Sequence, residues 1–188
     1  NIKRLLAYSS IAQSGYILMA FVPFANPAVR TDALASLLFY LAAYGLTTFA
    51  AWAVVIAFEK SEGKGLELED YAGLGKKYPV YAAVMLIAML SFTGMPMTAG
   101  FWGKFYLFTA AVQGGQWLLA IIGLLASIVS AYYYLRVVVI MYMKTGAPQA
   151  KRSWLLDATA LISALAVFAL GFVPWVLFEI AGRMAAMM

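Results

Sequence analysis

The chain has no cysteine and no histidine among its 188 residues, and only 11% of it is charged. Without thiols there is no disulfide framework, no thiolate nucleophile and no cysteine-held zinc or iron–sulfur centre; without imidazole, haem ligation by histidine goes too. So little charge also excludes an ordinary soluble surface, since soluble chains carry about a quarter charged residues. Apolar residues fill the space at 65%, so the chain reads as an integral membrane protein. The formal net charge is +5, but the basic residues recur in alternate polar gaps rather than along one stripe, which is a topology signal and not a nucleic-acid footprint.

Five apolar segments emerge, at about residues 5–22, 34–58, 80–112, 117–142 and 154–180. Each is near or above the roughly 20 residues that a spanning helix needs. The expected fold class is therefore all-α and membrane-integral: one transmembrane helical unit over residues 1–188 with five transmembrane helices. The second, fourth and fifth are long enough to tilt or to extend into the headgroups.

The third segment is different. From Pro79 to Val112 one continuous helix would reach roughly 50 Å, against a hydrocarbon core of about 30 Å. Pro96 removes a backbone donor and Gly94 lowers the cost of unwinding, so a break is expected at Thr93–Met97. Irregular backbone at that depth must be satisfied by protein or by water, and the hydroxyls of Thr93 and Thr98 are placed to help. The third helix is thus read as discontinuous, two half-helices meeting inside the membrane.

If the segments alternate in direction, one side of the membrane holds Lys3, Arg4, Lys60, Lys64, Lys76, Lys77, Lys144, Lys151 and Arg152. The other holds only Arg30 and Arg183. The basic-rich side is cytoplasmic by the positive-inside rule, which puts the first residue in the cytoplasm and the last outside. The gap at residues 59–78 reads as a solvated connector, with LELEDYAGL able to form a short amphipathic turn on the membrane surface. The chain begins at Asn1, and Lys3-Arg4 run into a long apolar segment with no small-residue cleavage site, so a signal peptide is not expected and a piece of a longer subunit is.

Two basic residues fall inside apolar segments, Lys104 and Arg136. A lysine in a dry site is able to release its proton, whereas an arginine keeps its charge. Lys104 is therefore the candidate proton carrier, with Gly100 and Gly103 leaving room for water beside it. Arg136 is a fixed charge, and anchoring near the interface is the plainer account of it. In the first segment Ser10 and Ser14 share one face, as do Ser9 and Gln13. Such groups hydrogen-bond between helices or hold water. Ser10, Gln13, Ser14, Tyr106 and Arg136 are candidates for a hydrated path, which Tyr44, Thr47 and Thr48 would extend. Asp157 and Glu179 lie near segment ends and read as interfacial.

Two stretches together, NIKRLLAYSSIAQSGY at residues 1–16 and GMPMTAGFWGKF at residues 94–105, resemble the antiporter-like membrane subunits of respiratory complex I, and YYYLRVVVIMY fits the same family. KRLLAYSSI alone is also similar to the Mrp sodium/proton antiporter subunits. The resemblance implies a fourteen-helix subunit built from two inverted five-helix repeats, with this chain matching the last five helices. It implies that Lys104, in the discontinuous helix, transfers protons towards the outer side. It also implies a bacterial inner-membrane location beside other membrane subunits of the complex, neighbouring antiporter-like subunits above all. No cofactor is expected on this chain; NADH, FMN, iron–sulfur clusters and quinone would be used by other subunits, so the enzyme class implied is that of a non-redox subunit of a proton-pumping NADH:quinone oxidoreductase. The pattern departs at Gln13, where many relatives carry histidine, so that a proton would pass there by water, and at Val139, where relatives often carry a second basic residue. The alternatives are a sodium/proton antiporter subunit of the Mrp kind, which the resemblance also implies, and a non-transporting scaffold whose lysine pairs with a carboxylate.

Overall fold

The structure is a computed structural model that describes residues 1–59, 65–151 and 153–187. Lys60, Lys64 and Arg152, counted above among the charges of one side, lie outside the described residues. The chain forms α1 (Ile2–Met19), α2 (Arg30–Phe58), α3 (Leu74–Lys77), α4 (Pro79–Thr93), α5 (Ala99–Gln113), α6 (Trp117–Met143), α7 (Trp154–Phe172) and α8 (Pro174–Ala185). Among the described residues there is no strand. Among the described residues four helices, α1 with the turn after it, α2, α6 and α7, are long and apolar enough to cross a membrane, and α4 is a shorter apolar helix.

The bundle is arranged around α2, which packs against α4, α5, α7 and α8. Its buried residues fall on all sides and include Ala33, Ala35, Ala43, Ala50, Ala51, Ala53 and Ala57. Lipid tails are as apolar as leucine, so membrane helices associate by close packing, and small side chains let several neighbours approach one helix at once. α6 packs on α4 and α5, with α1 beside them.

One end of the bundle carries the ion pairs. Lys3 meets Glu59 at 2.5 Å, Lys144 meets Glu69 at 2.7 Å, and the Tyr81 hydroxyl donates to Asp157. These contacts bring the starts of α1, α4 and α7 to the ends of α2 and α6. The stretch before α4 is more than a solvated connector: Tyr71 and Leu74 are fully buried among Phe58, Tyr81 and Met141. LELEDYAGL makes a 3-10 turn at Leu68–Tyr71 followed by α3, and its apolar residues face the protein core.

The segment expected to run straight through residues 154–180 is interrupted. α7 ends at Phe172, Val173 leaves the helical conformation with φ −124° and ψ 55°, and α8 restarts with Pro174 in its first turn. Pro174 has no N–H for the Leu170 carbonyl four residues back, which is why the ladder stops there. Gly171 lies against the break between α4 and α5: a Cβ at this position would fall 2.1 Å from the Met97 carbonyl oxygen. Two interrupted helices therefore sit side by side.

Candidate functional site

The site grows out of the way α4 ends. Gly94 adopts a left-handed φ of 86°, a conformation glycine takes at little cost. Its N–H turns back to the carbonyls of Leu90 and Ser91, both at 3.0 Å, and the Met95 N–H reaches the Leu90 carbonyl at 2.9 Å. Phe92 would find its usual partner at residue 96, but Pro96 has no N–H. The carbonyls of Phe92 and Thr93 are thus left at the negative end of a half-helix, which carries roughly half an elementary charge.

Lys104 fills that place. It stands five residues into α5, about 8 Å beyond the helix start, and helical side chains lean towards their own N-terminus. Its chain accordingly runs back to the break instead of out to the membrane surface. Nζ donates to the Phe92 carbonyl at 2.8 Å, to the Thr93 carbonyl at 3.2 Å and to Ser127 Oγ at 2.8 Å. All three ammonium donors have acceptors, and the charge lies 4.8 Å from the centre of the Tyr16 ring, a cation–π distance. Lys104 is 4% exposed. Among the described residues no carboxylate pairs with it; its counter-charge is the helix end. This arrangement holds a cation by dipoles alone, without an anion to trap it.

A second polar cluster lies alongside. Gln13 on α1 donates from Nε2 to the Tyr134 hydroxyl at 3.1 Å and accepts from the Tyr40 hydroxyl. Ser9 shares a hydrogen bond with Tyr134. The Thr47 and Ser91 hydroxyls meet at 2.9 Å, and Ser91 Oγ accepts the Gly100 N–H at 3.1 Å, doing for the start of α5 what an N-cap side chain does. Gln13, Tyr40, Thr47, Ser91 and Gly100 line a cavity of about 10 Å³, about the room one water molecule needs. Phe92 joins the two clusters, since its carbonyl holds Lys104 while its ring stacks on Tyr134 at 5.4 Å.

Of the residues singled out from sequence, Lys104, Gly94, Pro96 and Thr93 meet at the break, and Thr98 bonds the Met95 carbonyl within it at 2.7 Å. Gln13 belongs to the adjoining cluster. Ser10 and Ser14 bond back to their own helix, to the Ala7 and Ser10 carbonyls, on the outer side of α1. Tyr106 stacks on Phe178 of α8 at 4.0 Å. Arg136 is exposed on the outer side of α6. These four are not brought to Lys104. Ser127, Tyr40 and Ser91 are the polar groups of these clusters that sequence reasoning passed over. A signal existed on α6, where Ser127, Ser130 and Tyr134 recur at helical spacing in an otherwise apolar run.

Such a bundle, with an interrupted helix closed by a buried lysine, defines a multi-pass membrane protein with a polar site inside the apolar core. The family model for the NADH:quinone oxidoreductase/Mrp antiporter transmembrane region matches residues 1–130. The chain is 41% identical over 181 residues to NADH-quinone oxidoreductase subunit N of Bdellovibrio bacteriovorus, covering 95% of this chain and 37% of that one. A chain in the structure of respiratory complex I from Thermus thermophilus with bound aureothin is 34% identical, with a TM-score of 0.77 over 94% of this chain and 39% of that one. The Mrp complex of Dietzia holds a chain of the same fold, with a TM-score of 0.80 at 23% identity, over 96% of this chain and 41% of that one. The protein belongs to the NADH:quinone oxidoreductase/Mrp antiporter membrane-subunit family, and it spans a little over a third of the length of the relatives it matches.

Proposed function

We propose that this chain is the C-terminal part of subunit N of a bacterial NADH:quinone oxidoreductase and that Lys104 carries protons through it. The observation that supports this reading most is the environment of Nζ. A lysine locked to a carboxylate is held charged, whereas a lysine held by two carbonyls and a hydroxyl gives up its proton without abandoning an anion in the membrane. Its state would answer to charges arriving in neighbouring antiporter-like subunits, the partners this reading requires. Redox chemistry, with NADH, FMN, iron–sulfur clusters and quinone, belongs to other subunits, and the chain contributes to a translocase without oxidising anything itself. The basic face formed by Lys3, Arg4, Lys76, Lys77, Lys144 and Lys151 is cytoplasmic on the charge rule, and Arg30 and Arg183 face outwards.

The test is Lys104→Arg in the assembled complex, with protons translocated per NADH oxidised as the measurement. Arginine keeps the charge and does not release it, so the ratio is expected to fall clearly below that of the unaltered complex; an unchanged ratio would falsify the carrier role. The second reading, a subunit of an Mrp-type antiporter, draws on the likeness of fold. It is distinguished by sodium-dependent proton exchange in vesicles, which the first reading does not expect.

A further inference from the structure

The three partners of Lys104 are not alike. The carbonyls of Phe92 and Thr93 are acceptors and nothing else, whereas a serine hydroxyl both accepts and donates. Ser127 uses both capacities. Its Oγ accepts from Nζ at 2.8 Å while its own proton goes to the Thr93 carbonyl at 3.2 Å. A neutral lysine has two N–H donors and one lone pair. The donors suit the two carbonyls, and the lone pair needs a donor that neither carbonyl offers. Close by, the buried Tyr16 hydroxyl lies beside Ser127 and Ser130 and makes no hydrogen bond of normal geometry; Ser130 donates to the Ser127 carbonyl at 2.7 Å.

We propose that Ser127 is a positioning residue for Lys104, whose hydroxyl reverses its hydrogen bond with the protonation state of the amine. With Lys104 charged, Ser127 accepts from Nζ and donates to the Thr93 carbonyl. With Lys104 neutral, the hydroxyl turns to donate to Nζ, a lysine N–H keeps the Thr93 carbonyl satisfied, and the freed Oγ lone pair is open to the Tyr16 hydroxyl. No covalent bond of serine changes; the count of donors and acceptors stays balanced in both states. Alanine at 127 spoils both, leaving one ammonium N–H without an acceptor and the neutral amine without a donor.

The inference rests on Lys104 being the carrier, and the experiment separates the two. The rate of NADH-driven proton translocation is compared in the assembled complex for Ser127→Ala, Ser127→Thr, Lys104→Ala and the Lys104→Ala/Ser127→Ala pair. Ser127→Ala is expected to slow coupled translocation about tenfold, the scale of one hydrogen bond to a charged group. Ser127→Thr, which keeps the hydroxyl, is expected to restore it to within about twofold, and Ser127→Ala is expected to add nothing to Lys104→Ala. If Lys104→Ala is impaired while Ser127→Ala translocates normally, or if the two losses multiply, the role of Ser127 is overturned and that of Lys104 stands. If Lys104→Ala itself translocates normally, the carrier reading is overturned. Should Ser127→Ala fail to assemble, Ser127→Cys supplies a side chain of similar shape with a weak donor; a reduced rate is expected, and an unaltered one overturns the proposal.

Discussion

The two interrupted helices solve one problem in different ways. Between α4 and α5 residues 94–98 leave the helix, with left-handed backbone at Gly94 and at Met97, φ 68°. Between α7 and α8 only Val173 does so. At the first break the freed carbonyls of Phe92 and Thr93 are taken by the ammonium of Lys104. At the second the Gly171 carbonyl takes the indole N–H of Trp102 at 2.8 Å. Membrane interior offers no bulk water, so each break needs donors from the protein. An indole never loses its proton in water at ordinary pH, so it makes a static closure; an amine is able to gain or lose one, so the carrier role proposed for Lys104 gives the first closure two states. On the role proposed for Lys104, the same backbone defect is structural in one helix and functional in the other because of the donor it recruits.

The largest expected effect comes from forcing the two breaks apart. Gly171→Ala sets a methyl against the Met97 carbonyl oxygen at 2.1 Å and the Thr98 nitrogen at 2.6 Å, both backbone atoms that a rotamer change does not clear. Overpacking of this kind costs about 3 kcal/mol. The variant is expected to lower the temperature of heat inactivation and the yield of assembled complex on native gels. A variant as stable as the parent would mean that the two breaks do not support each other.

That contact also marks where sequence reasoning stopped. The first break was legible because Gly94, Pro96 and Lys104 coincide in a segment too long for the bilayer. The second contains Gly171 and Pro174 in an apolar run whose nearest charged residue, Glu179, lies close to the segment end and reads as interfacial, and proline in a membrane helix is tolerated often enough to read as a kink. Its meaning lies in the neighbour it touches, which no local pattern contains. Likewise helical spacing grouped Ser9 with Gln13 and Ser10 with Ser14 equally well, and only packing decides that the first pair turns inwards to Tyr134. The five-helix architecture was legible because bilayer thickness makes length alone informative.

Trp102→Phe is the intermediate test. Phenylalanine keeps an aromatic ring beside Phe101, Phe105 and Tyr106 and removes the donor to Gly171. The expected loss is about 1 kcal/mol of stability, read as a modest fall in the heat-inactivation midpoint. Proton translocation per assembled complex is expected to stay at the parent value, in contrast to every Lys104 variant. A fall in coupling without a fall in stability would show that the second closure is not static.

The smallest effect is expected at Pro174. Alanine there returns an N–H to the carbonyl of Leu170, four residues back, and so removes the local reason for the interruption. The course of α8 has other supports, however. Phe178 stacks on Tyr106, and Ala181 and Ala185 pack against Ala35 of α2. A restored hydrogen bond is offset by the packing it would disturb, so the stability of Pro174→Ala is expected within about 0.5 kcal/mol of the parent, with unaltered translocation. The matching change at Pro96 has a different consequence on the same reasoning. It supplies a backbone donor for the Phe92 carbonyl, one of the three partners of Lys104, and so competes with the ammonium for its place. Measuring the pair side by side isolates the donor as the difference between the breaks: if both alanine variants leave translocation untouched, the carbonyls of the first break are not what holds Lys104 in its working position.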